Sequence, residues 1–75
     1  MEVRKLVNTR LLEETIHNSG MTMVAIAEKT GILRETLYNK LRGTSEFKAS
    51  EISNLSKVLR LSAEERDNIF FDTDK

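Results

Sequence analysis

The placement of glycine constrains this fold more than any other feature of the sequence. Glycine occurs three times, at Gly20, Gly31 and Gly43, and proline does not occur. Glycine adopts the left-handed backbone conformation that commonly ends a helix, whereas proline would interrupt a helix from within. Apolar residues between the glycines recur at spacings of three and four, which is the period of an amphipathic helix. The sequence therefore predicts an all-α fold whose helices end at these glycines.

Five helices are predicted from these ends together with the residue types that favour helix N-caps. A serine followed three residues later by glutamate, as at Ser62 and Glu65, is the pattern of a capping box. The predicted elements are, in chain order, a helix from Asn8 or Thr9 to the residue before Gly20, a helix over 23–29 capped by Thr22, a helix over 34–41, a helix capped by Ser50, and a helix capped by Ser62.

The whole chain is predicted to form a single domain, 1–75, because 75 residues leave room for one core. Phe47 is the large apolar residue of the loop before the fourth helix and is predicted to plug that core. Residues 1–7 either extend the first helix or form a flexible arm. The polar tail 72–75 is expected to fray.

Composition excludes several classes of protein. The chain has no cysteine, so it has neither a disulfide framework nor a thiolate zinc site. No apolar run is long enough to cross a membrane, and the first residues lack the hydrophobic block of a secretory signal. We therefore expect a cytoplasmic protein with no membrane partner, no metal and no cofactor. Twelve basic residues balance twelve acidic ones, but four cations face two anions between residues 34 and 48.

Enzymatic activity is not expected. The single histidine, His17, falls near the end of the first helix, where a cation suits the helix dipole. Neighbouring carboxylates such as Glu13 and Glu14 point in different directions on a helix, as surface charges do. With no catalytic residues assigned, we expect no small-molecule substrate.

Residues 22–43 favour two helices joined by a tight turn. Ala27 is small where the helices must approach closely, and Gly31 allows the chain to reverse. Ile32 and Leu37 supply the apolar contact between the pair. This is the pattern of a helix-turn-helix, although the polar positions of its second helix are also compatible with an ordinary solvated face.

The run TMVAIAEKTGILRETLYNKLRG resembles the lambda-repressor-like (Cro/CI, XRE) DNA-binding domains, and the chain from about Asn8 to Phe71 fits their compact five-helix plan. The segments LYNKLRG, EFKASEI and IFF resemble in particular the small regulators encoded by phages and prophages of low-GC Gram-positive bacteria. The resemblance implies a sequence-specific transcription regulator that binds double-stranded operator DNA, as a repressor does, and acts by occupancy.

The resemblance also implies which residues contact DNA, because the second helix of the motif enters the major groove with its N-terminus toward the bases. The residues implied for base contacts are Arg34, Glu35, Thr36 and Asn39. Those implied for phosphate contacts are Thr22, Tyr38, Lys40, Arg42, Thr44, Ser45 and Lys48. Tyr38 is equally compatible with packing at the rim of the core.

Two features favour a different partner. Leu33 stands where a polar N-cap is usual, and apolar residues cluster near the expected DNA edge. The residues of this patch are Met21, Met23, Val24 and Leu33. They support a second hypothesis, in which the same fold acts as an antirepressor that binds a phage repressor protein.

Homodimer formation is left open by the sequence. Val58 to Leu61 and Ile69 to Phe71 offer apolar area for a two-fold contact. The alternative is that both phenylalanines, Phe70 and Phe71, close the core.

Overall fold

The computed structural model describes residues 5–73 of the chain, and the side chains of residues 7–71. Five helices lie within this range, which confirms the all-α prediction. They are α1 (Thr9–Ser19), α2 (Met23–Thr30), α3 (Arg34–Leu41), α4 (Ala49–Val58) and α5 (Ala63–Phe70).

Most helix ends lie where the caps in the sequence predicted them. The Asn8 side chain accepts a hydrogen bond from the Leu11 N–H at the start of α1. Ser62 and Glu65 form the predicted capping box of α5. The prediction that Ser50 caps α4 is wrong, because Ala49 is already helical and the Glu51 carboxylate accepts from the N–H of Lys48, which makes Lys48 the N-cap residue.

The core is formed by apolar residues from all five helices, together with Ile32 from the turn between α2 and α3. Its buried members are Leu12, Ile16, Ile26, Ile32, Leu37, Leu41, Leu55, Ile69 and Phe70. Phe47 is half-buried and meets Phe70 edge to face, with ring centroids 5.4 Å apart, so it covers the core from the loop as predicted. The radius of gyration is 11.9 Å, close to the value of about 11 Å expected for a compact chain of this length.

The two ends of the described chain pair with each other. Strand β1 (Lys5–Leu6) is antiparallel to β2 (Asp72–Thr73), and the Asn8 N–H donates to the Ile69 carbonyl over 2.6 Å. Residues 5 and 6 of the predicted helical extension or arm over 1–7 therefore form a strand, and residues 72 and 73 of the predicted tail over 72–75 pair with it. The remaining parts of both predictions, 1–4 and 74–75, lie outside the described residues.

The apolar residues offered for a two-fold contact divide between the core and the surface. Ile69 and Phe70 are buried in the core, whereas Phe71 is exposed. The alternative in which both phenylalanines close the core is thus correct for Phe70 and wrong for Phe71. Among the helices of residues 5–73, none combines the length and apolar character that crossing a bilayer requires.

Candidate nucleic-acid interface

The connection between α2 and α3 is a three-residue turn whose backbone is held by Thr30 and Gly31. Gly31 has φ +76°, and its N–H donates to the Ala27 carbonyl over 2.9 Å. The buried Thr30 hydroxyl donates to the Ile26 carbonyl over 2.8 Å and accepts from the Ile32 N–H over 3.3 Å. Polar groups at the end of α2 are thereby satisfied inside the protein, and the chain is directed into α3.

Three buried residues of α3 fix which face of this helix is turned outward. Leu37 and Leu41 belong to the core, and Lys40 is buried beside them. The opposite face follows the helical spacing of three and four residues, and it consists of Glu35, Tyr38, Asn39 and Arg42. This polar stripe, with Arg34 at the helix N-terminus, is called the α3 outer face below.

Four of the residues expected to contact DNA border one shallow cleft. Arg34, Glu35, Tyr38 and Arg42 are all exposed, and together with Leu33 they line a cleft of about 470 Å³. Side-chain hydrogen bonds from these residues to other described residues are absent. Their charged and hydroxyl groups are therefore available to an external ligand.

The other two residues expected to read bases are less accessible. Thr36 and Asn39 are half-buried. The Asn39 backbone carbonyl accepts from both the N–H and the hydroxyl of Thr44, at 3.1 and 2.7 Å, whereas its side-chain amide makes no hydrogen bond within the described part of the chain. Asn39 thus anchors the following loop through its backbone and keeps its amide for other contacts.

The residues expected to hold phosphates lie at helix ends and in the loop after α3. Thr22 is exposed, and its hydroxyl oxygen accepts from the Ala25 N–H over 3.1 Å, which leaves the hydroxyl proton free to donate. Ser45 and Lys48 are exposed in the loop. The proton of the Thr44 hydroxyl is already donated to Asn39, so a phosphate contact from that group requires exchange of this bond.

Lys40 is a correction to the predicted phosphate contacts. Only 5% of its side chain is exposed, and its ammonium donates to the Glu51 carboxylate over 2.5 Å and to the Glu46 carbonyl over 2.7 Å. The ammonium also lies 5.7 Å from the centre of the Phe47 ring. Because the charge is buried and paired, Lys40 does not present itself to a phosphate; it joins α3 to the loop and to α4 instead.

The environment of Glu51 sets its protonation. Burial raises the pKa of its carboxyl, but the hydrogen bonds from the Lys40 ammonium and the Lys48 N–H, together with both lysine charges, lower the pKa by more. The net result is a pKa below the ordinary value of 4.5. The carboxylate is therefore kept ionised, and the bond to Lys40 persists, at neutral pH.

The apolar patch expected for a protein partner is divided in two. Val24 and Leu33 are 45% and 76% exposed and border a common cleft of about 470 Å³ with Arg34. Met21 and Met23 are half-buried against the core and line a separate cleft with Tyr38 and Arg42. The exposed part of this predicted patch is therefore the Val24–Leu33 pair.

Sequence reasoning missed Asn54, which helps to hold α2 in place. Its side-chain amide donates to the Thr30 carbonyl at the end of α2 over 3.3 Å. An asparagine on a solvated helix face carries no signal of such a contact, because the contact is made across 24 residues of chain.

The site contains no metal-binding constellation within residues 5–73, where no group of three or more histidine or carboxylate side chains comes together. Comparison of the chain with protein-family models, with curated proteins and with solved structures gave no match.

Proposed function

We propose that this protein is a sequence-specific DNA-binding regulator with a lambda-repressor-like helix-turn-helix formed by α2 and α3. The observation that carries the proposal is the α3 outer face. On the inner side of α3, Leu37, Lys40 and Leu41 are buried. The side chains of the α3 outer face make no hydrogen bond to other residues of the described chain. A short helix that packs one side on the core and exposes polar side chains on the other is suited to enter the major groove, which admits one α-helix.

The side chains of the outer face match the chemistry of base recognition. Arg34 can donate two hydrogen bonds to guanine O6 and N7, and Asn39 can bind adenine N6 and N7 in the same bidentate way. Glu35 can accept from the cytosine N4 amino group. The methyl group of Thr36 can contact the methyl group of thymine. For this contact the base must come close to a side chain that is half-buried.

Phosphate contacts come from cations and hydroxyls that flank the outer face. Arg42 and Lys48 are exposed cations, and Thr22, Tyr38 and Ser45 supply hydroxyl protons. With Lys40 neutralised by Glu51, three cations from Arg34 to Lys48 remain exposed. Each phosphate contact adds affinity that depends on salt and not on sequence.

The regulatory mechanism in this proposal is occupancy of an operator. One helix-turn-helix reads only a few base pairs, so two copies on a two-fold related operator, about one DNA turn apart, give useful specificity. The bound protein then hinders or favours RNA polymerase at neighbouring promoters. The resemblance to phage and prophage regulators places this switch in the cytoplasm of a bacterial host, without catalysis and without a cofactor.

Selection from a pool of random DNA duplexes tests the proposal. We expect a preferred sequence to be enriched, and Arg34→Ala to weaken binding to that selected duplex by about 1–3 kcal/mol, which is roughly a 5- to 150-fold loss. Arg10→Ala is the matched control, because Arg10 is an exposed cation on α1. The proposal is wrong if no sequence is enriched, or if both variants weaken binding equally.

A second candidate function is supported by the Val24–Leu33 pair. Two adjacent apolar side chains this exposed are unusual beside a DNA-reading helix, and they suit contact with another regulatory protein such as a phage repressor. A gel shift with the selected duplex, run with and without the repressor, separates the two functions. Leu33→Ser should leave direct DNA binding intact, whereas it should abolish a complex that forms only through the repressor.

A further inference from the structure

A groove along α4 has a charge pattern that the proposed DNA contacts do not use. It has a volume of about 690 Å³ and runs from Ala49 to Arg60, with Leu61, Arg66 and Phe71 completing its wall. None of these residues lines the clefts that hold Arg34, Tyr38 or Arg42, whereas Ile52 and Phe71 also border a further cleft that contains Ser45. The groove along α4 is called the α4 groove below.

The positive charges of residues 49–71 are collected in the α4 groove. Residues 49–71 contain three cations and four carboxylates. All three cations, Lys57, Arg60 and Arg66, line the groove, and no carboxylate does. The segment is acidic as a whole, so the collection of its cations on one apolar groove makes this surface complementary to an acidic ligand.

One of the three cations already has a partner. The guanidinium of Arg66 lies 3.3 Å from the Asp67 carboxylate, but both side chains are exposed, at 42% and 57%. An exposed ion pair of this kind contributes little free energy, so a carboxylate from a ligand can replace Asp67 at small cost. Lys57 and Arg60 make no ion pair within the described chain.

The face of α4 in the groove is shaped for close approach of a helix. Ala49, Ser53 and Ser56 are small, and they follow the helical spacing of four and three. Small side chains let two helix axes come within about 8 Å, the short end of the normal range. The helical part of this face is α4 itself, Ala49–Val58, which spans about 15 Å at the rise of an α-helix, or nearly three turns of a partner.

We propose that the α4 groove binds an acidic amphipathic helix of another protein. The apolar side chains of that helix contact Ile52 and Leu61, and its carboxylates bind Lys57, Arg60 and Arg66. This is the helix-in-groove mode of recognition, with the cations selecting the sign of the partner's charge.

A second copy of this chain is a poorer occupant. Two such grooves that face each other supply cations from both sides, and no carboxylate of residues 49–71 lines either groove to compensate for them. The three cations of the α4 groove line none of the clefts that hold Arg34, Tyr38 or Arg42, so a loss of peptide binding and a loss of DNA binding can be measured separately.

The test is a titration of the full chain, labelled with ¹⁵N, with a designed helical peptide of about 15 residues that carries Leu and Phe on one side and Glu beside them. We expect amide shifts confined to 49–61, Arg66 and Phe71. The same peptide with Gln in place of Glu should bind about tenfold more weakly.

Two charge-reversal variants test whether the cations of the α4 groove select the acidic peptide. Lys57→Glu should weaken binding of the acidic peptide about tenfold, whereas Arg10→Glu, a charge reversal on α1, should not. Equal binding of the Gln peptide, equal effects of the two variants, or shifts on α3 instead of α4 would overturn the proposal. So would groove shifts that grow with protein concentration when no peptide is present, because those would identify a second copy as the occupant.

Discussion

Glu51→Gln is the substitution that tests most directly how α3 is held against the loop and α4. Glu51 accepts hydrogen bonds from both the Lys40 ammonium and the Lys48 N–H. Glutamine keeps an oxygen in nearly the same place, so the cap of α4 is retained. What is lost is the negative charge beside a lysine that is only 5% exposed.

The magnitude follows from burial. Removing one partner of a fully buried ion pair costs about 3–5 kcal/mol, because the other charge is left uncompensated. Lys40 keeps its bond to the Glu46 carbonyl, and 15% of the Glu51 side chain remains exposed to screening water. We therefore expect a loss of about 2 kcal/mol in the free energy of unfolding, which lowers the Tm of a chain this size by about 10 °C.

The effect depends on pH with a definite sign. The pKa of Glu51 is lowered in the folded protein, so the folded state binds fewer protons there than the unfolded state does. The stability from this group is present above the ordinary value of 4.5 and is lost as the pH falls through the lowered folded value. The difference between the native protein and Glu51→Gln should shrink over the same acidic range.

Urea denaturation of both proteins at neutral and acidic pH measures these quantities. Glu46→Gln is the matched control, since Glu46 offers Lys40 only its backbone carbonyl, and it should change stability by less than about 0.5 kcal/mol. Two results would refute the reasoning. One is an unchanged free energy of unfolding for Glu51→Gln at neutral pH. The other is a loss in this free energy that has the same size at acidic and at neutral pH.

Three further substitutions have defined outcomes. Leu33→Ser should raise the free energy of unfolding by about 1 kcal/mol, because it supplies the missing side-chain cap of α3 at an exposed position; a loss in urea denaturation would contradict this. Gly31→Ala should lower the free energy of unfolding by about 1–2 kcal/mol. The cause is the positive φ of residue 31 alone, since an added Cβ meets no atom within 4 Å; an unchanged midpoint of urea denaturation would contradict this. Lys48→Ala should weaken binding to all duplexes and reduce the salt slope by about 1, whereas an unchanged slope would mean that Lys48 stays solvated.

Local signals in the sequence were sufficient for the helices. The predicted bounds of α3, Arg34 to Leu41, are those of the structure, because glycines and apolar spacing act within a few residues. The caps at Thr22 and Ser62 were also correct, since a cap is made by a side chain and an N–H three residues on.

Contacts between distant residues were not predictable in the same way. Lys40 looked like one more cation of a basic edge, and only folding brings it against Glu51, eleven residues further on. The cap of α4 lies at Lys48 and not at Ser50 for a local reason, because the Glu51 carboxylate accepts from the Lys48 N–H three residues earlier. The pairing of β1 with β2 joins the two ends of the chain, and two-residue strands carry no alternation that a sequence pattern can reveal.

The candidate site was predicted in outline and corrected in detail. Arg34, Glu35, Tyr38 and Arg42 are exposed and share a cleft, as a DNA-reading face requires. Of the four apolar residues of the predicted patch, Val24 and Leu33 are exposed. Both methionines pack against the core, which in so small a domain needs their apolar area.

The central claim is that the α3 outer face lies in the major groove. Titration of the ¹⁵N-labelled protein with the selected duplex tests it most directly, because backbone amide shifts report which surface meets DNA. We expect the largest shifts at 34–39 and in the loop 42–48, with smaller shifts along α4. Saturable binding of the duplex that leaves the amides of α3 unchanged would contradict it.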